Sequence, residues 1–356
     1  MNRPAALHHS VRDRARIRPT GLLSGGASTP GCLLSSTPGL VRSRDASAGP
    51  RIPRIKEHAA PGPEMLSVIV TSYNSPQVLR ECLERLTVQP EAGEIIVTDC
   101  SDRDPTPELS PLFPSVRFVH FGERRTVPQL RWAGARIASG DSIAVIEARS
   151  APDERWCAEF QRALERHPEA PVAGGPVAFG WSASSAFDWG LYFCEYGAFA
   201  PPVEEGLTRE LSSANLCYRR TDLEAASDLL DRGAWDTVLH DRWQRQERPF
   251  VLCPAAIWFR NTMDRRTAIR QRFWYARGYA ADRVAARGPG VRLLFAGFTA
   301  LLPAVLTWRI GRAAARKSLL SEYRRAFGWV LLLSAAWSCG ECAEYLFGPA
   351  SEARIY

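Results

Sequence analysis

Residues 66–101 read LSVIVTSYNSPQVLRECLERLTVQPEAGEIIVTDCS, and this stretch decides the fold class. It opens with a continuous apolar and β-branched run at residues 66–71, which is typical of a buried parallel strand. Ser75 and Pro76 mark a helix start, because a capping side chain is followed by proline at the first helical position. A second apolar run follows at residues 94–98. A strand, a helix and a strand in this order predict an α/β fold.

The same alternation of strands and helices continues along the chain. The predicted elements are strands at residues 116–121 and 142–146, and helices at residues 127–138, 152–167, 221–230, 237–246 and 265–287. Residues 179–200 are rich in aromatic side chains and show no regular pattern, so we predict irregular structure there. These elements together predict one α/β domain over residues 65–290.

Residues 1–64 differ in composition from the rest of the chain. The segment 1–60 is rich in Arg, Ser, Pro and Gly, and poor in acidic and aromatic residues. Such a segment cannot bury enough apolar surface to fold, so we predict a disordered leader. Met65 stands immediately before the first strand and is therefore the alternative start of translation. An Arg-rich, acid-poor leader is also typical of a transit peptide.

Two apolar stretches lie near the end of the chain, at residues 293–308 and 327–338. Both are shorter than the roughly 20 residues that span a bilayer. Basic residues stand on both flanks of the first stretch, which argues against a simple crossing. We therefore expect residues 291–348 to form a membrane-associated helical hairpin that lies in, or dips into, the cytoplasmic leaflet. The alternative is a buried helical pair packed on the domain.

Composition and charge narrow the classes of partner. With 46% apolar residues among 356, the chain can bury a sizeable core. Its net charge of +7 indicates a partner with negative charge: a phosphorylated ligand, an anionic lipid or a nucleic acid. The positive residues cluster in the leader and around the apolar tail, and the sequence has no recognised nucleic-acid motif, so we expect no nucleic-acid partner. The nine cysteines include one close pair, Cys339 and Cys342, but no second C-x-x-C pair to complete a structural zinc site, which favours a reduced cytosolic chain.

Polar side chains follow three of the predicted strands. The first strand ends in TSYN at residues 71–74, the second in TDCSD at residues 98–102, and the fourth in EAR at residues 147–149. In doubly wound sheets, ligands bind beyond the carboxyl ends of the strands, so we expect a ligand site here. Residues 71–74 contain no glycine, which excludes a dinucleotide-binding turn, and the absence of a G-x-x-x-x-G-K-[ST] motif excludes a P-loop.

The segments SVIVTSYN and EIIVTDCSD resemble the opening of family 2 glycosyltransferases, in which one strand ends in T-x-Y-N and the next in D-x-S. The resemblance continues through RTVPQLRWAGARIASGDSIAVIEAR, SSANLCYRRTDL and WDTVLHDRW, and covers about residues 66–285. It implies the GT-A fold, a Rossmann-like sheet that binds a nucleotide-diphospho-sugar. It also implies inverting transfer of a hexose from a UDP- or GDP-linked donor to an acceptor hydroxyl.

The resemblance assigns roles to individual residues. The positions matched to the nucleotide-sugar are Thr71, Tyr73, Asn74, Asp99, Arg125, Arg131, Glu147 and Arg149. Among these, the Tyr73 ring is suited to stacking on a base and the Asp99 carboxylate to accepting from a uracil-type N–H. Arg125 and Arg131 match basic positions near the phosphates, and the alternative for both is a solvated helix face.

Glu147 and Arg149 stand where the family has its D-x-D motif, and here the sequence departs from the family pattern. In the usual site, acidic residues hold Mg²⁺ or Mn²⁺, which bridges the diphosphate. Glu147 could still contact the ribose or a metal ion, whereas Arg149 carries the opposite charge to a metal ligand. Either Arg149 pairs with the diphosphate directly and makes a metal unnecessary, or the protein is a catalytically inactive relative that binds a nucleotide or a partner.

Asp241 matches the aspartate of the E-D motif, the catalytic base of inverting members. His240 replaces the usual glutamate, and it either tunes Asp241 or faces solvent. Asn215 matches the acceptor-side segment, and we expect it to line that pocket. The apolar tail indicates a lipid-linked or membrane-proximal sugar acceptor, as in envelope glycan or polysaccharide synthesis, at the cytoplasmic face of the cell membrane.

Overall fold

The computed structural model describes residues 65–180, 185–284 and 287–348, and the predicted leader lies outside these ranges. The strands are β1 (Leu66–Ser72), β2 (Ala92–Asp99), β3 (Val116–His120), β4 (Ser142–Glu147), β5 (Ser150–Pro152), β6 (Val172–Gly174), β7 (Val177–Phe179), β8 (Gly206–Thr208), β9 (Asn215–Arg219), β10 (Phe250–Leu252) and β11 (Ile257–Phe259).

The helices are α1 (Pro76–Leu86), α2 (Thr106–Leu109), α3 (Val127–Ile137), α4 (Trp156–Arg166), α5 (Ala186–Glu195), α6 (Arg220–Glu224), α7 (Ser227–Leu230), α8 (Asp236–Arg245), α9 (Arg265–Val284), α10 (Pro289–Phe298), α11 (Leu302–Arg316) and α12 (Leu320–Phe347). Short 3-10 turns lie at Gly197–Phe199 and Thr299–Leu301. The predicted strand–helix alternation is confirmed, and the segment predicted as one helix at residues 221–230 is two short helices, α6 and α7.

The main sheet has eight strands in the order β3-β2-β1-β4-β9-β6-β10-β8. β1 lies between β2 and β4 and runs parallel to both, whereas β9 runs antiparallel to β4. A second sheet has three strands in the order β5-β11-β7. The parallel arrangement brings the carboxyl ends of β1, β2 and β4 to one edge, as the sequence predicted, and the start of β9 lies at the same edge.

Helices cover both faces of the main sheet because the side chains of β1 alternate between two cores. Val68 packs in one buried cluster with Leu79 of α1 and Phe160 of α4. Ile69 packs in another with Trp132 of α3. This alternation gives the three-layer arrangement of an α/β fold and leaves the carboxyl edge of the sheet for the site.

The prediction for residues 179–200 was wrong, because α5 lies within them. Ser185 and Asp188 form a reciprocal capping box at its start. Its aromatic residues are buried on several sides: Phe187 lies against Trp329 of α12 at a ring-centroid distance of 5.0 Å, and Tyr192 is fully enclosed. A helix buried nearly all round has no polar face, and so it lacks the periodicity from which helices are predicted.

The two tail helices are longer than the apolar stretches from which they were predicted. The first is the continuous helical segment Pro289–Arg316, which comprises α10, the 3-10 turn and α11, and the second is α12, Leu320–Phe347. Each spans 28 residues and is long and apolar enough to cross a membrane. The apolar pattern stops early because the last turns of α12 carry acids that pair with α9. Arg277 Nε lies 3.1 Å from Glu344 Oε2, and Arg283 also pairs with α12. α12 thus packs along α9 and also contacts α5 and α11.

Candidate functional site

The loops that follow β1 and β2 are joined into one surface by hydrogen bonds. The backbone N–H of Asn74 donates to Ser101 Oγ at 2.7 Å, and its side-chain amide exchanges bonds with the carboxylate and N–H of Asp102 at 2.8 and 2.9 Å. Asn74 has a φ of 44°, in the left-handed region that asparagine tolerates better than most residues. The residue predicted as part of the nucleotide site is therefore the link between the two loops.

Asp99 is buried beneath this surface, and its oxygens are engaged within the chain. Oδ1 accepts from the Ser101 backbone N–H and lies 2.9 Å from His120 Nδ1, while Oδ2 accepts from the Ser101 hydroxyl at 2.7 Å. Thr71 is also buried, and its carbonyl accepts from the Ala148 N–H at 2.9 Å. That bond ties the end of β1 to the loop after β4, so the two predicted halves of the site adjoin.

Tyr73 is covered by an arginine that the sequence analysis missed. The Arg124 guanidinium lies 4.5 Å from the centre of the Tyr73 ring and donates to its hydroxyl. The predicted residue, Arg125, instead lies 3.8 Å from the ring of Phe121 and pairs with Glu123 at 2.6 Å. Two consecutive arginines therefore stand beside the loop after β1, where they would favour a phosphorylated ligand.

A chain of alternating charges crosses the site behind these loops. Arg131, which is almost fully buried in α3, pairs with Asp236 at the first position of α8 and lies 3.6 Å from Glu147 Oε1. The other oxygen of Glu147 accepts from Arg149 Nε at 2.7 Å. At the far end, Asp236 accepts from the Tyr218 hydroxyl at 2.9 Å. We call Asp236, Arg131, Glu147 and Arg149 the charge chain.

Electrostatics favour the ionised forms of Glu147 and Arg149 in the charge chain. Burial by itself raises the pKa of Glu147, but the Arg149 and Arg131 guanidiniums outweigh it and hold that pKa below its ordinary value. Burial likewise disfavours charge on Arg149, yet Glu147 raises the Arg149 pKa well above the usual range. The buried pairs thus compensate one another, which is the condition for keeping charges inside a protein.

The structure brings Asp236, and not Asp241, to the charge chain. Both acids lie in the segment WDTVLHDRW, but they are five positions apart on the helix and therefore lie on different faces. Asp241 is partly exposed, with 40% of its side chain accessible, and pairs with Arg245 one turn along α8. Asp236 is 1% exposed and contacts Arg131. A carboxylate in the first turn of a helix was the available signal for it, since the helix dipole favours an acid there.

His240 is buried, which excludes the alternative that it faces solvent. Its ring lies 4.9 Å from that of Phe250 and 6.2 Å from those of Tyr218 and Trp243, measured between centroids. Burial lowers the pKa of His240 to about 4, an effect that Asp236 opposes and Arg131 reinforces. The side chain is therefore neutral at pH 7 and belongs to the apolar support of α8.

Lowering the pH from 7 to 4.5 is expected to destabilise the wild-type protein by about 2 kcal/mol more than it destabilises His240→Phe. The folded protein has the His240 pKa at about 4, below the ordinary 6.5. The unfolded chain therefore takes up a proton between these values that the folded chain does not, and stability is lost as the pH falls through this window. Urea denaturation of both proteins at both pH values measures the difference. Equal losses in the two proteins would contradict this account.

Asn215, predicted to line the acceptor pocket, is fully buried and tied to other segments. Its side-chain N–H groups donate to the carbonyls of Pro176 and Ala255 at 3.1 and 2.7 Å. Its carbonyl oxygen accepts from Trp156 Nε1 at 2.9 Å. These bonds use both amide N–H groups, so the structure makes Asn215 a tie that fixes the start of β9 at the site edge.

An open cavity of about 580 Å³ lies apart from the charge chain, between the start of α5 and the start of α9. Its lining includes Phe187, Asp188, Asn261 and Arg265. None of the predicted nucleotide-sugar residues lines it. We therefore locate the candidate site by the converging side chains at the strand ends and not by this cavity.

Comparisons with known proteins agree with the motifs and the sheet. Residues 67–188 match the sequence model of the family described as glycosyl transferase family 2. The solved mannosyltransferase PcManGT from Pyrobaculum calidifontis, in complex with GDP-Man and Mn²⁺, is similar at 17% identity and a TM-score of 0.50, over 80% of this chain and 87% of that chain. TarS 1–349 from S. aureus is similar at 14% identity and a TM-score of 0.43, over 76% of this chain and 90% of that chain. No curated protein matches. The predicted fold is confirmed.

Proposed function

Since residues 67–188 carry a family 2 glycosyltransferase domain on a GT-A fold, we propose that this chain transfers a sugar from a nucleoside-diphosphate sugar, UDP- or GDP-linked, to an acceptor hydroxyl. The observation that supports it best is the site edge itself. An aromatic ring follows β1, two consecutive arginines follow β3, and Glu147 and Arg149 of the charge chain stand at the end of β4. All lie at the carboxyl edge, where such folds bind nucleotides.

The donor lies across this edge with its base near Tyr73 and its diphosphate toward Arg131 and Arg149. The bond between Ala148 and Thr71 sets the two regions side by side. Asp99 has its oxygens engaged by Ser101 and His120, so its part is to hold the loop in shape. A base stacked on Tyr73 would take the place of the Arg124 guanidinium over that ring.

Asp236 is the catalytic base of the proposed reaction. It takes the proton from the acceptor hydroxyl as that oxygen attacks the anomeric carbon. The bond from that carbon to the diphosphate oxygen breaks on the opposite face, so one displacement inverts the configuration. Asp236 is the acid of α8 that stands beside Arg131 and Glu147, whereas Asp241 points to solvent. Arg131 pairs with the carboxylate and holds it in place.

An exposed apolar face of the tail supports attachment to a membrane. Leu294, Phe298, Leu301, Val305 and Trp308 recur every three or four residues along α10 and α11, and each is between 45% and 63% exposed. This spacing puts them on one helix face. In the most apolar 18-residue stretch of Pro289–Arg316, only 17% is buried inside the protein. A core helix would be mostly buried.

The tail lies along the membrane and does not cross it. α12 packs along α9, so a crossing by α12 would carry the arginines of α9 into the hydrocarbon, at high cost. Arg312, Arg316, Arg324 and Arg325 are exposed around the turn between α11 and α12. They fit the anionic headgroups of a cytoplasmic leaflet. The acceptor is accordingly a lipid-linked or membrane-proximal sugar, as in envelope glycan synthesis, and residues 291–348 serve as the anchor of a catalytic unit at 65–290.

A catalytically inactive relative is the second candidate, and one observation favours it. Asp236 and Glu147, the two acids of the charge chain, both pair with arginines. A catalytic reaction would therefore have to use a carboxylate that is already held in an ion pair. Such a protein would bind a nucleotide without turning it over.

Release of the nucleoside diphosphate separates the two candidates. Purified full-length protein is incubated with UDP- and GDP-linked hexoses in the presence of membrane lipid extract, with and without Mn²⁺. An enzyme releases UDP or GDP over many turnovers and transfers the hexose to a lipid of the extract. A protein that binds UDP or GDP tightly yet releases none from any of the sugars belongs to the inactive class.

A further inference from the structure

The residues at the end of β4 do not fit a divalent metal. Glu147 Oε2 accepts from Arg149 Nε at 2.7 Å, and Oε1 lies 3.6 Å from Arg131. The next acid, Asp236, pairs with Arg131 and accepts a hydrogen bond from the Tyr218 hydroxyl. Within the part of the chain that the structure describes, no group of three or more His, Cys, Asp or Glu side chains is placed to hold a metal ion. Oxygen ligands for Mg²⁺ or Mn²⁺ are therefore lacking here.

We propose that the Arg149 guanidinium is the built-in counter-charge for the donor diphosphate, so that this chain binds its donor without a divalent ion. The proposal rests on the proposed function and deepens it. Arg149 stands two residues beyond Glu147, at the strand next to β1. Its Nε donates to Glu147, and one terminal nitrogen lies 3.4 Å from the Tyr196 hydroxyl. A guanidinium has five N–H donors, which leaves others for phosphate oxygens.

Arg149 is held in a fixed pose by its surroundings. The Phe259 ring lies 5.2 Å from the guanidinium carbon, and the backbone carbonyl of Arg149 accepts from the Arg260 N–H at 3.1 Å. A planar cation fixed in this way donates to a phosphate with little further loss of side-chain freedom.

The balance of charge also selects Arg149 over Arg131. Arg131 lies between two acids, Asp236 and Glu147, whereas Arg149 stands at the end of the charge chain and pairs with Glu147. A second acid, Glu195, stands near Arg149, and burial raises the pKa of its carboxyl despite the nearby Arg149 and Arg272. Among the described residues, the Arg149 guanidinium thus has one acid, Glu147, at ion-pair distance, where Arg131 has two.

Calorimetric titration with nucleotides tests the proposal. UDP, GDP and the matching monophosphates are titrated into the full chain in EDTA and again with Mn²⁺. The variants are Arg149→Gln, Arg149→Lys and, as a matched control, Arg155→Gln, since Arg155 is an exposed arginine (68% of its side chain) outside the site. Circular dichroism melting shows whether each variant is folded.

The wild type is expected to bind UDP or GDP in EDTA with a Kd within about threefold of that in Mn²⁺. Arg149→Gln is expected to weaken the diphosphate by about 10- to 100-fold, the range for a hydrogen bond to a charged group, and Arg149→Lys by less. Monophosphate binding, which needs no contact at the second phosphate, should change little in either variant. A purely structural role for Arg149 would weaken both nucleotides alike.

Three results have distinct meanings. Binding that appears only with Mn²⁺ overturns the proposal and leaves the proposed function standing. Unchanged diphosphate affinity in Arg149→Gln also overturns it. Failure of both diphosphates to bind under any condition contradicts the proposed function itself, and the proposal falls with it.

Discussion

Asp236→Asn is expected to lower the rate of sugar transfer by about 10²- to 10⁴-fold, the usual contribution of a general base. Asp241→Asn, on the same helix, is expected to leave the rate within about twofold. Asp236 belongs to the charge chain, whereas Asp241 is partly exposed and pairs with Arg245 along α8. Initial rates of nucleoside diphosphate release, measured at saturating donor, compare the variants directly.

Stability has to be separated from catalysis in this comparison. Removing the Asp236 charge leaves Arg131 with Glu147 at 3.6 Å as its remaining acid, and breaking a buried pair costs about 3–5 kcal/mol. Asp236→Glu keeps the charge but moves the carboxylate by one methylene, so it should be better folded and still slow. Asp241→Asn carries no such risk because it is on the surface. A large rate loss in Asp241→Asn at unchanged melting temperature would reverse the assignment.

Replacing Leu294, Phe298 and Trp308 together by glutamate is expected to weaken binding to anionic vesicles by at least about 100-fold. Burying each large apolar side chain in a membrane contributes about 1.5–3 kcal/mol, or roughly tenfold or more in affinity. All three are about 60% exposed on one helix face. Co-sedimentation with vesicles that contain phosphatidylglycerol gives the partition coefficient.

The chain offers a matched control for the three glutamates. Val88, Leu112 and Leu207 are also large, apolar and more than half exposed, but they lie outside the tail. Glutamate at these positions adds the same charge and should leave vesicle binding within about threefold. If both triple variants lose binding equally, net charge and not the apolar face governs attachment. If the wild type stays in the supernatant, the membrane proposal is wrong.

The sheet was predictable because β1, β2 and β4 are buried on both faces and so read as unbroken apolar runs. The expectation of a ligand site beyond their carboxyl ends came from the general behaviour of doubly wound sheets. α5 was not predictable in the same way, since its aromatic residues pack against α9, α12 and the core and leave no polar stripe. Its capping pair, Ser185 and Asp188, was the local signal that remained.

The site was predicted less completely than the sheet, for reasons of geometry. Motif matching reached the right segment for α8, but the choice between Asp236 and Asp241 depends on which helix face meets Arg131. Arg124 was missed because its contact with Tyr73 bridges two loops that are far apart in sequence. The role expected for Asn215 in an acceptor pocket stays a prediction, and only the structure reveals that its amide binds Pro176 and Ala255.

The most direct test of the central claim is the anomeric configuration of the transferred sugar. The full-length protein is incubated in EDTA with an α-linked UDP- or GDP-hexose and a membrane lipid extract, and the product is analysed by NMR. The account predicts a β-linked product from wild type and Asp241→Asn, and almost none from Asp236→Asn. An α-linked product, or equal yields from wild type and Asp236→Asn, would contradict it.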